Sequence, residues 1–388
     1  MALGVESGPP KIPLARDPRF RGLATQLVLF GVLALVAYLL VRAAANNLAR
    51  ANVATGFGFW NQPAGFDISQ TLIDYSSATS TYGRAFWVGL LNTLLVAVLG
   101  IVFATILGFI IGIARLSSNW LVERCATGYV ELVRNVPLLL QLLFWYNAVL
   151  KALPDFRESI RLPGGVFLNN RGLFLPAPDF AGAGETMLIA FALGLVGAVI
   201  LAALAPHRRI VAVGAAALVL GFPIAAFLLS GAHVTFEYPQ MSRFNLRGGI
   251  EILPELAALV VGLVIYTAAF IADVVRAGLQ AVPRGQVEAA YALGLRRLYA
   301  LRFIIVPQAM RVIIPPLTNQ YLNLTKNSSL AVAIGYPDLV QIFTGTVLNQ
   351  TGQAVEIVAI TMAVYLSISL GTSFLMNIYN ARMALVER

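Results

Sequence analysis

The segment EAAYALGLRRLYALRFIIVPQ, residues 288–308, lies between two long apolar stretches of the chain. Alanine, leucine, glutamine, glutamate and arginine dominate residues 286–301, and such residues favour an α-helix. Glu288 falls in the first turn, where the helix dipole favours a negative charge. Ala290 and Gly294 are four residues apart, so a continuous helix places both on one face without bulk. The segment predicts either a docking surface for another protein or an amphipathic connector on the lipid headgroups, and helix physics alone leaves both open.

The composition of the whole chain is that of a membrane protein. Hydrophobic residues make up 59% of its 388 residues and charged residues only 12%, whereas soluble domains have about 25% charged residues. The net charge of +9 is spread between apolar runs, which indicates control of membrane topology rather than nucleic-acid binding. One cysteine, Cys125, excludes an internal disulfide. The two histidines, His207 and His233, form no metal-ligand cluster, so no metal site is predicted.

Apolar segments of spanning length recur along the chain. A membrane-spanning helix needs about 20 mostly apolar residues. The first such segment follows a basic stretch and is longer than the roughly 7–15 apolar residues of a signal-peptide core, so we expect it to be retained. The predicted spans are residues 23–42, 86–113, 136–151, 186–205, 209–230, 255–276, 305–328 and 354–378.

The third and seventh predicted spans are irregular in sequence. The third, 136–151, is short, and we expect its helix to begin earlier, near Tyr129. The seventh, 305–328, contains Pro315, Pro316 and several amides. Because proline removes a backbone hydrogen bond, we expect the seventh helix to be bent or broken.

Arginines define the orientation of the spans. An even number of spans places both chain ends on one side of the membrane. Arginine is dense in the short stretches 114–135 and 277–304, whereas most acidic residues lie in the longer stretches on the other side. Since short cytoplasmic loops carry an excess of Lys and Arg, this pattern predicts that both termini and residues 288–308 are cytoplasmic.

The quoted segment also carries a spaced motif. Glu288-Ala289-Ala290 is followed after three residues by Gly294, and after nine more by Ile304-Ile305-Val306-Pro307. This motif resembles the EAA signature of ABC-importer permeases and departs from it only at Val306, where that family has leucine. In that family the segment forms a coupling helix that seats in a cleft of a separate ATPase subunit. The resemblance implies an ATPase-coupling role for Glu288, Ala289, Ala290, Gly294, Arg296 and Pro307.

Further segments narrow the class. Residues 89–94, 129–141 and 265–278 resemble permeases of the polar amino acid class, the histidine/glutamine/glutamate importers. The eight-span layout and the sequence FLNNRG at 167–172 resemble broad-specificity general L-amino acid permeases. The resemblance implies an all-α polytopic membrane protein with the type I ABC-importer permease fold and a five-helix core. It divides the chain into 1–84, an N-terminal segment with an extra span and outer loop; 85–150, the first part of the core; 151–253, inserted loops and two extra spans; and 254–388, the second part of the core with the EAA coupling helix.

The same resemblance implies a function and a set of partners. The chain is expected to be the transmembrane permease subunit of an ATP-driven importer for polar L-amino acids in the glutamate/glutamine/aspartate/asparagine range, working by alternating access. None of its three lysines follows a glycine, so it has no P-loop and is not expected to be an enzyme. We expect no cofactor on this chain, with ATP and Mg on a partner ATPase homodimer. The other expected partners are a second, related permease subunit, a periplasmic amino acid-binding protein and the lipid of the bacterial inner membrane, with no nucleic acid.

An ion-coupled secondary amino acid transporter is the main alternative. Such transporters often have paired repeats and buried acids that carry the coupling ion. The sequence has no convincing internal repeat, and its acidic residues cluster at the span ends. A membrane enzyme is disfavoured because the spans contain no His/Glu metal motif and no Ser/His/Asp arrangement.

The seventh span carries an unusual set of polar residues. A lysine at membrane depth costs about 2.5–3.5 kcal/mol at the bilayer centre, so Lys326 is a candidate to bind a substrate carboxylate. It could equally snorkel to the outer interface or pair with a nearby acid. Asparagines recur at a spacing of four, and such a stripe lines either a cavity or a helix–helix contact. The predicted substrate-pathway residues are Lys326, Asn327, Ser328, Asn323 and Asn319.

Charged residues at the inner ends of the third and sixth spans indicate a structural or gating role. Glu131 and Arg134 are three residues apart, and Asp273 and Arg276 repeat that spacing. Each pair is either a local helix pair, worth about 0.2–0.5 kcal/mol, or a brace of the inner vestibule and the coupling segment. The predicted structural and gating residues are Glu131, Arg134, Pro137, Gln141, Asp273 and Arg276.

Overall fold

The computed structural model describes residues 18–50, 55–204, 208–231, 233–243 and 245–383, and the chain they form is mostly helical. Both chain ends, which the sequence predicts to be cytoplasmic, lie outside these residues. The α-helices are α1 (Pro18–Arg50), α2 (Tyr82–Ala114), α3 (Trp120–Asn135), α4 (Leu138–Leu143), α5 (Gly184–Leu204), α6 (Arg208–Ser230), α7 (Pro254–Gln280), α8 (Arg284–Ala292), α9 (Arg297–Ala300), α10 (Val306–Asn327), α11 (Leu348–Thr351) and α12 (Ala354–Met383).

Short segments of other helix types extend several of these helices. A π-helix, Phe144–Leu150, continues α4, and another, Leu301–Ile305, joins α9 to α10. A 3-10 helix, Ser328–Ile334, continues α10, and a third π-helix, Gln341–Val347, leads into α11. As a result the chain is helical without a break from Arg297 to Ile334.

The predicted all-α polytopic membrane fold is confirmed. Among the described residues, six helical segments are long and apolar enough to cross a membrane. Two shorter apolar helices, Thr25–Leu40 and Leu138–Leu150, lie at the first and third predicted spans. The six long segments are Tyr82–Ala114, Gly184–Leu201, Val213–Ser230, Pro254–Gln280, Arg297–Ile334 and Ala354–Ile378.

The third span begins later than the sequence analysis expected. Helix α3 ends at Asn135, and Val136 is extended, with φ −103° and ψ 126°. The ring of Pro137 disfavours the helical region for the residue before it, and here Val136 leaves that region, so α3 and α4 are separate helices. The Gln141 side-chain amide donates to the carbonyls of Val133 and Val136, both at 2.9 Å. These bonds satisfy acceptors that the end of α3 leaves open.

The seventh span is not broken at its prolines. Pro315 and Pro316 lie inside α10, and the helix continues past them to Gly335, whose φ of 76° is the left-handed conformation that ends it. Pro307 lies at the start of α10, directly after the π-helix Leu301–Ile305. The sequence analysis expected residues 305–328 to be bent or broken, and the break is wrong; the bend stays a prediction.

The centre of the bundle is the contact between α2 and α7. Gly108 and Gly112 of α2 lie against Ile271 and Val275 of α7, so close that a Cβ at either glycine would be 2.6–2.7 Å from those side chains. Both α7 residues are buried. Small residues let helix backbones approach in a membrane, where packing rather than hydrophobic transfer holds helices together.

In the sequence, an insertion with short strands follows the π-helix Phe144–Leu150 and precedes α7. Its strands are β1 (Ile160–Leu162), β2 (Val166–Asn169), β3 (Gly172–Leu175), β4 (Ala177–Asp179), β5 (Thr235–Glu237), β6 (Gln240–Met241), β7 (Leu246–Arg247) and β8 (Ile250–Ile252). They form an antiparallel sheet in the order β1-β2-β3-β8 and two antiparallel ribbons, β4-β5 and β6-β7. The hairpin of α5 and α6 is inserted between β4 and β5 and packs chiefly on itself.

Candidate functional site

The segment between α7 and α10 is two helices rather than one. Helix α8 ends at Ala292, and Gly294 adopts a left-handed φ of 74°. The turn is closed by bonds from the Gly294 N–H to the Tyr291 carbonyl at 2.9 Å and from the Leu295 N–H to the Ala290 carbonyl at 3.1 Å. The prediction that Ala290 and Gly294 share one face of a continuous helix is therefore wrong. Gly294 is required by the turn, because a left-handed residue is strained with any Cβ.

The two alanines of the motif have different surroundings. Ala290 is buried against the protein, whereas Ala289 and the neighbouring Glu288 are exposed. Arg296 is exposed and forms the N-cap of α9. Pro307 is half-buried at the start of α10. Glu288, Ala289 and Arg296 thus lie on an open surface, while Ala290 and Pro307 attach that surface to the bundle.

Large apolar side chains surround these polar residues. Leu293 is 81% exposed and Leu298 is 72% exposed, and Phe303 is also open to solvent. Exposed large apolar side chains on a membrane protein meet either lipid or another protein. We define the coupling surface as Glu288, Ala289 and Arg296 together with these three apolar residues.

Next to the coupling surface, one carboxylate joins three elements. Asp273 of α7 forms ion pairs with Arg115, which caps α2, and with Arg134 of α3. Arg134 also lies over the Phe270 ring, 5.0 Å from its centroid. Of the two alternatives for these residues, the local helix pairs, Glu131 with Arg134 and Asp273 with Arg276, are wrong, and the bracing role stays a prediction. Packing of α3 on α7 brings Arg134 to Asp273, and a cross-helix pair with a partly buried carboxylate outweighs a pair along one exposed helix face.

At the other end of the bundle, α10 presents polar side chains outward. Asn319, Asn323 and Lys326 are exposed on one face of the helix. Asn327 is half-buried, and Ser328 is fully buried with its hydroxyl donating to the Thr325 carbonyl at 2.7 Å. The structure therefore groups three of the five predicted pathway residues on an open face and turns Ser328 inward.

A groove of about 450 Å³ lies between α10 and α12, beside Lys326. We name it the α10–α12 groove. Apolar residues of α12 form much of its wall. Its polar lining residues are Lys326, Ser329, Thr361, Tyr365 and Ser369.

The sequence analysis missed an acid behind this groove. Asp338 is fully buried, with Oδ1 accepting from the Gln341 N–H at 2.8 Å and Oδ2 accepting from the Tyr365 hydroxyl at 3.2 Å. Burial raises the pKa of Asp338 to about 7. The available signal was composition, because Asp338 is the one acidic residue between positions 305 and 353.

The segment around Asp338 is fixed to α2. The Asn92 amide donates to the Pro337 carbonyl at 2.8 Å, and the Leu339 N–H donates to the Thr93 hydroxyl at 3.0 Å. Asn92 and Thr93 are fully buried. These two buried hydrogen bonds from α2, with the bond to Tyr365 of α12, fix the position of Asp338 between the two helices.

Apolar spans, an exposed coupling surface and a polar face on a spanning helix together define a membrane permease that works with other subunits. The family model described as "Binding-protein-dependent transport system inner membrane component" matches residues 104–385. The chain belongs to this family. Its members are membrane subunits rather than enzymes, and they work with an ATPase and a substrate-binding protein.

Curated relatives extend this assignment over the whole chain. The general L-amino acid transport system permease protein AapQ of Rhizobium johnstonii is 51% identical over 96% of this chain and 94% of its own length. The putative amino-acid ABC transporter permease protein YhdX of Escherichia coli is 52% identical over 93% of this chain and 94% of its own. The glutamate/glutamine/aspartate/asparagine transport system permease protein BztB of Rhodobacter capsulatus is 42% identical over the full length of both chains.

These relatives place the chain among ABC importers. It is a multi-pass inner-membrane permease subunit for amino acids. The ion-coupled alternative is not favoured, because this family is defined by dependence on a binding protein. The resemblance stated from the sequence is confirmed.

Proposed function

We propose that this chain is the permease subunit of an importer for polar L-amino acids in the glutamate/glutamine/aspartate/asparagine range, with the substrate passing along the outward face of α10. The observation that carries the proposal is the exposure of Lys326, Asn323 and Asn319 on a membrane-spanning helix. Such residues are costly against lipid, so their face must meet water or protein. A cation on that face suits a substrate with a carboxylate. The printed names of AapQ and BztB support this substrate range.

The second membrane subunit covers this face. The α10–α12 groove is open on one side, and a half-open polar groove in a membrane is complete only when another protein closes it. We infer a second, related permease subunit as the partner, so that the pathway lies between two non-identical subunits. Alternating access then opens this pathway to the periplasm and to the cytoplasm in turn.

In the proposed cycle, the ATPase acts on this chain at the coupling surface. Glu288, Ala289 and Arg296 are exposed beside Leu293 and Leu298, a mixed charged and apolar patch that fits a protein cleft. The partner is a dimeric ATPase that binds ATP and Mg, so this surface and both chain termini are cytoplasmic. This chain itself holds no cofactor in the proposed cycle.

A charge reversal at the coupling surface tests its role. Glu288→Lys is expected to abolish ATPase association or ATP-dependent uptake in the purified complex, while the membrane domain still folds. Glu158→Lys is a matched control, because it makes the same charge change at an exposed residue of the outer insertion. Unchanged ATP-dependent uptake in Glu288→Lys contradicts the proposed coupling role.

A second pair of variants tests the pathway. Lys326→Met is expected to reduce glutamate uptake by reconstituted complex about tenfold or more, since the lost charge-assisted bond is worth about 1.5–3 kcal/mol. Lys151→Met removes an exposed lysine that lies 4.3 Å from the Tyr146 ring centroid instead, and it should leave uptake unchanged. Equal uptake by Lys326→Met and Lys151→Met would show that Lys326 does not contact the substrate on its pathway.

A further inference from the structure

The four-stranded sheet of the insertion has one purely aliphatic face. Residues paired across antiparallel strands project to the same face of a sheet, and successive residues along a strand alternate between faces. The register of β1, β2, β3 and β8 therefore aligns two rows of side chains on one face. The row nearer α7 is Ile160, Leu168, Leu173 and Ile252. The row nearer the β1–β2 turn is Leu162, Val166, Leu175 and Ile250. We name these eight residues the aliphatic sheet face.

The opposite face of this sheet carries the charges and is partly covered by the chain itself. The register places Arg161 and Glu251 there, in one row with two phenylalanines. Phe174 in that row is only 1% exposed. The Arg161 guanidinium lies 6.0 Å from the Phe167 ring centroid, which leaves its charge at the edge of the sheet.

The aliphatic sheet face is open instead. None of its eight residues is buried, and Ile160, Leu162 and Ile250 are 41–45% exposed. An antiparallel sheet in water packs its apolar face on a core and leaves the polar face to solvent. This sheet has the reverse arrangement, so its aliphatic face requires an apolar partner.

The position of the sheet along α7 sets its depth relative to the membrane. Helix α7 spans the membrane with 27 residues, and at 1.5 Å per residue it is about 40 Å long. This length matches a bilayer with its headgroups, so Pro254, the first residue of α7, lies among the headgroups. Ile252 and Ile250 precede Pro254 by two and four residues, which places both within about 14 Å of it. Because α8 follows the other end of α7, the sheet and the coupling surface lie on opposite sides of the membrane.

Two contacts show that the aliphatic sheet face is turned toward the membrane-spanning helices. Ile252 packs against the apolar cluster at the start of α7, which includes Leu142 of α4 and Leu256. At the other end of the sheet, the Tyr238 ring lies against Gly165 in the β1–β2 turn, and Tyr238 is 53% exposed. Tyrosine is enriched where a protein passes from lipid to water.

The insertion is also tied to the membrane on the side away from α7. Strand β4 ends five residues before α5, and β5 begins five residues after α6. The α5–α6 hairpin is long and apolar enough to cross the membrane. Membrane-spanning helices therefore hold the insertion close to the lipid surface from two directions.

We propose that the aliphatic sheet face lies in the outer part of the bilayer, on the side opposite the coupling surface, and that its partner is phospholipid. Through Ile252 and Pro254 this face continues the lipid-facing surface of the spans. The sheet then resembles an amphipathic element lying in the membrane plane, with its apolar side chains about 5–10 Å deep. Arg161 and Glu251, on the opposite face, remain in water. This contact is independent of which substrate the importer carries.

The experiment compares spin labels on two adjacent residues of β1 that point to opposite faces. Cys125, the one cysteine of the chain, is replaced by serine, and the label is attached in Leu162→Cys or in Arg161→Cys. The assembled complex, with its partner subunits free of cysteine, is reconstituted in phosphatidylethanolamine/phosphatidylglycerol vesicles. Power-saturation EPR then measures collisions with oxygen, which concentrates in lipid, and with nickel-EDDA, which stays in water. The label at position 162 should collide more with oxygen, and the label at position 161 more with nickel-EDDA.

A second pair of labels repeats the comparison at the other edge of the sheet. Ile250→Cys and Glu251→Cys are adjacent on β8, and their side chains point to opposite faces. Both residues are exposed, so a label fits without disturbing a core. The label at position 250 should again favour oxygen and the label at position 251 nickel-EDDA. This pair gives the answer if the β1 variants do not assemble.

Three outcomes overturn the inference. More collisions with nickel-EDDA at positions 162 and 250 show that the aliphatic sheet face is open to water. Few collisions with either reagent at those positions show that a protein covers the face, either a second permease subunit or a binding protein. Equal collision ratios on the two faces show that the sheet is not oriented by the membrane. ATP-dependent uptake by the same vesicles is measured separately, so the proposed importer function stands if uptake persists while the labels report no lipid contact.

Discussion

Removal of Asp273 is expected to destabilise the inner end of the bundle strongly. The side chain of Arg115, one of its two partners, is only 6% exposed. Asp273→Ala leaves that guanidinium buried without a counter-charge, which costs about 3–5 kcal/mol. The side chain of Arg134, the other partner, is 45% exposed. Water compensates for most of the lost ion pair, so Arg134→Ala should lower the free energy of unfolding by no more than about 1 kcal/mol.

The assay is the free energy of unfolding in mixed detergent micelles, measured by denaturant titration for each variant. The double variant Arg115→Met/Asp273→Leu is the decisive control. It removes both buried charges and also the Arg115 Nε, which is buried without a hydrogen-bond partner among the described residues. It should therefore lie within about 1 kcal/mol of the wild type, as hydrophobic replacements of buried ion pairs often do. The reasoning is refuted if Asp273→Ala lowers the free energy of unfolding by less than about 1 kcal/mol. It is also refuted if the double variant is as unstable as Asp273→Ala.

The other predictions concern single residues. Gly294→Ala should lower the free energy of unfolding by about 1 kcal/mol, because an alanine is strained at a φ of 74°. Gly285→Ala should cause no such loss, because a Cβ there meets open space. Thermal unfolding of the two variants measures the difference. Gln141→Leu should lower the free energy of unfolding by about 1–3 kcal/mol, because one buried and one partly buried carbonyl lose their donor; a neutral result in denaturant titration contradicts this. Burial raises the pKa of Asp338 from 3.8 to about 7, so the folded state loses stability as pH rises through that range. Asp338→Asn should therefore raise the melting temperature at pH 8 more than at pH 5.

The membrane-spanning segments could be predicted from the sequence for a simple physical reason. In lipid every backbone polar group must be satisfied within the chain, so long apolar segments have few structural choices besides a helix. Six of the eight predicted segments became long apolar helices, and two became shorter ones. The strands of the outer insertion were not predicted, because strands of two to four residues leave too short a pattern to recognise.

Local errors arose where a single residue outweighed a favourable composition. Residues 286–301 are rich in helix formers, yet the left-handed Gly294 ends the helix. Pro137 likewise separates the amphipathic α3 from the apolar α4, which the sequence analysis joined near Tyr129. Both effects are local and can be read from a glycine or a proline, provided that its position is weighed against the propensity of the whole segment.

The cross-helix contacts were not readable from one sequence. Arg134 and Asp273 are 139 residues apart, and Arg115 and Asp273 are 158 apart. Spacing along a helix predicts local partners only, so it paired Asp273 with Arg276 instead. The burial of Asp338 could not be predicted for the same reason, because it depends on α2 and α12, which are distant from it in the chain.

The continuity of the helix from Arg297 to Ile334 bears directly on transport. This one helical segment begins beside the coupling surface and carries Asn319, Asn323 and Lys326 on its open face. A helix broken at Pro315 would absorb a displacement of the coupling surface at the break. We infer that an unbroken helix passes more of a displacement of α8 and α9 on to Lys326 than a broken helix would. The left-handed glycines Gly335 and Gly352 bound the next segment, and the chain can change direction there rather than inside the helix. Under the proposed coupling role, the α10–α12 groove is expected to change shape when the coupling surface moves.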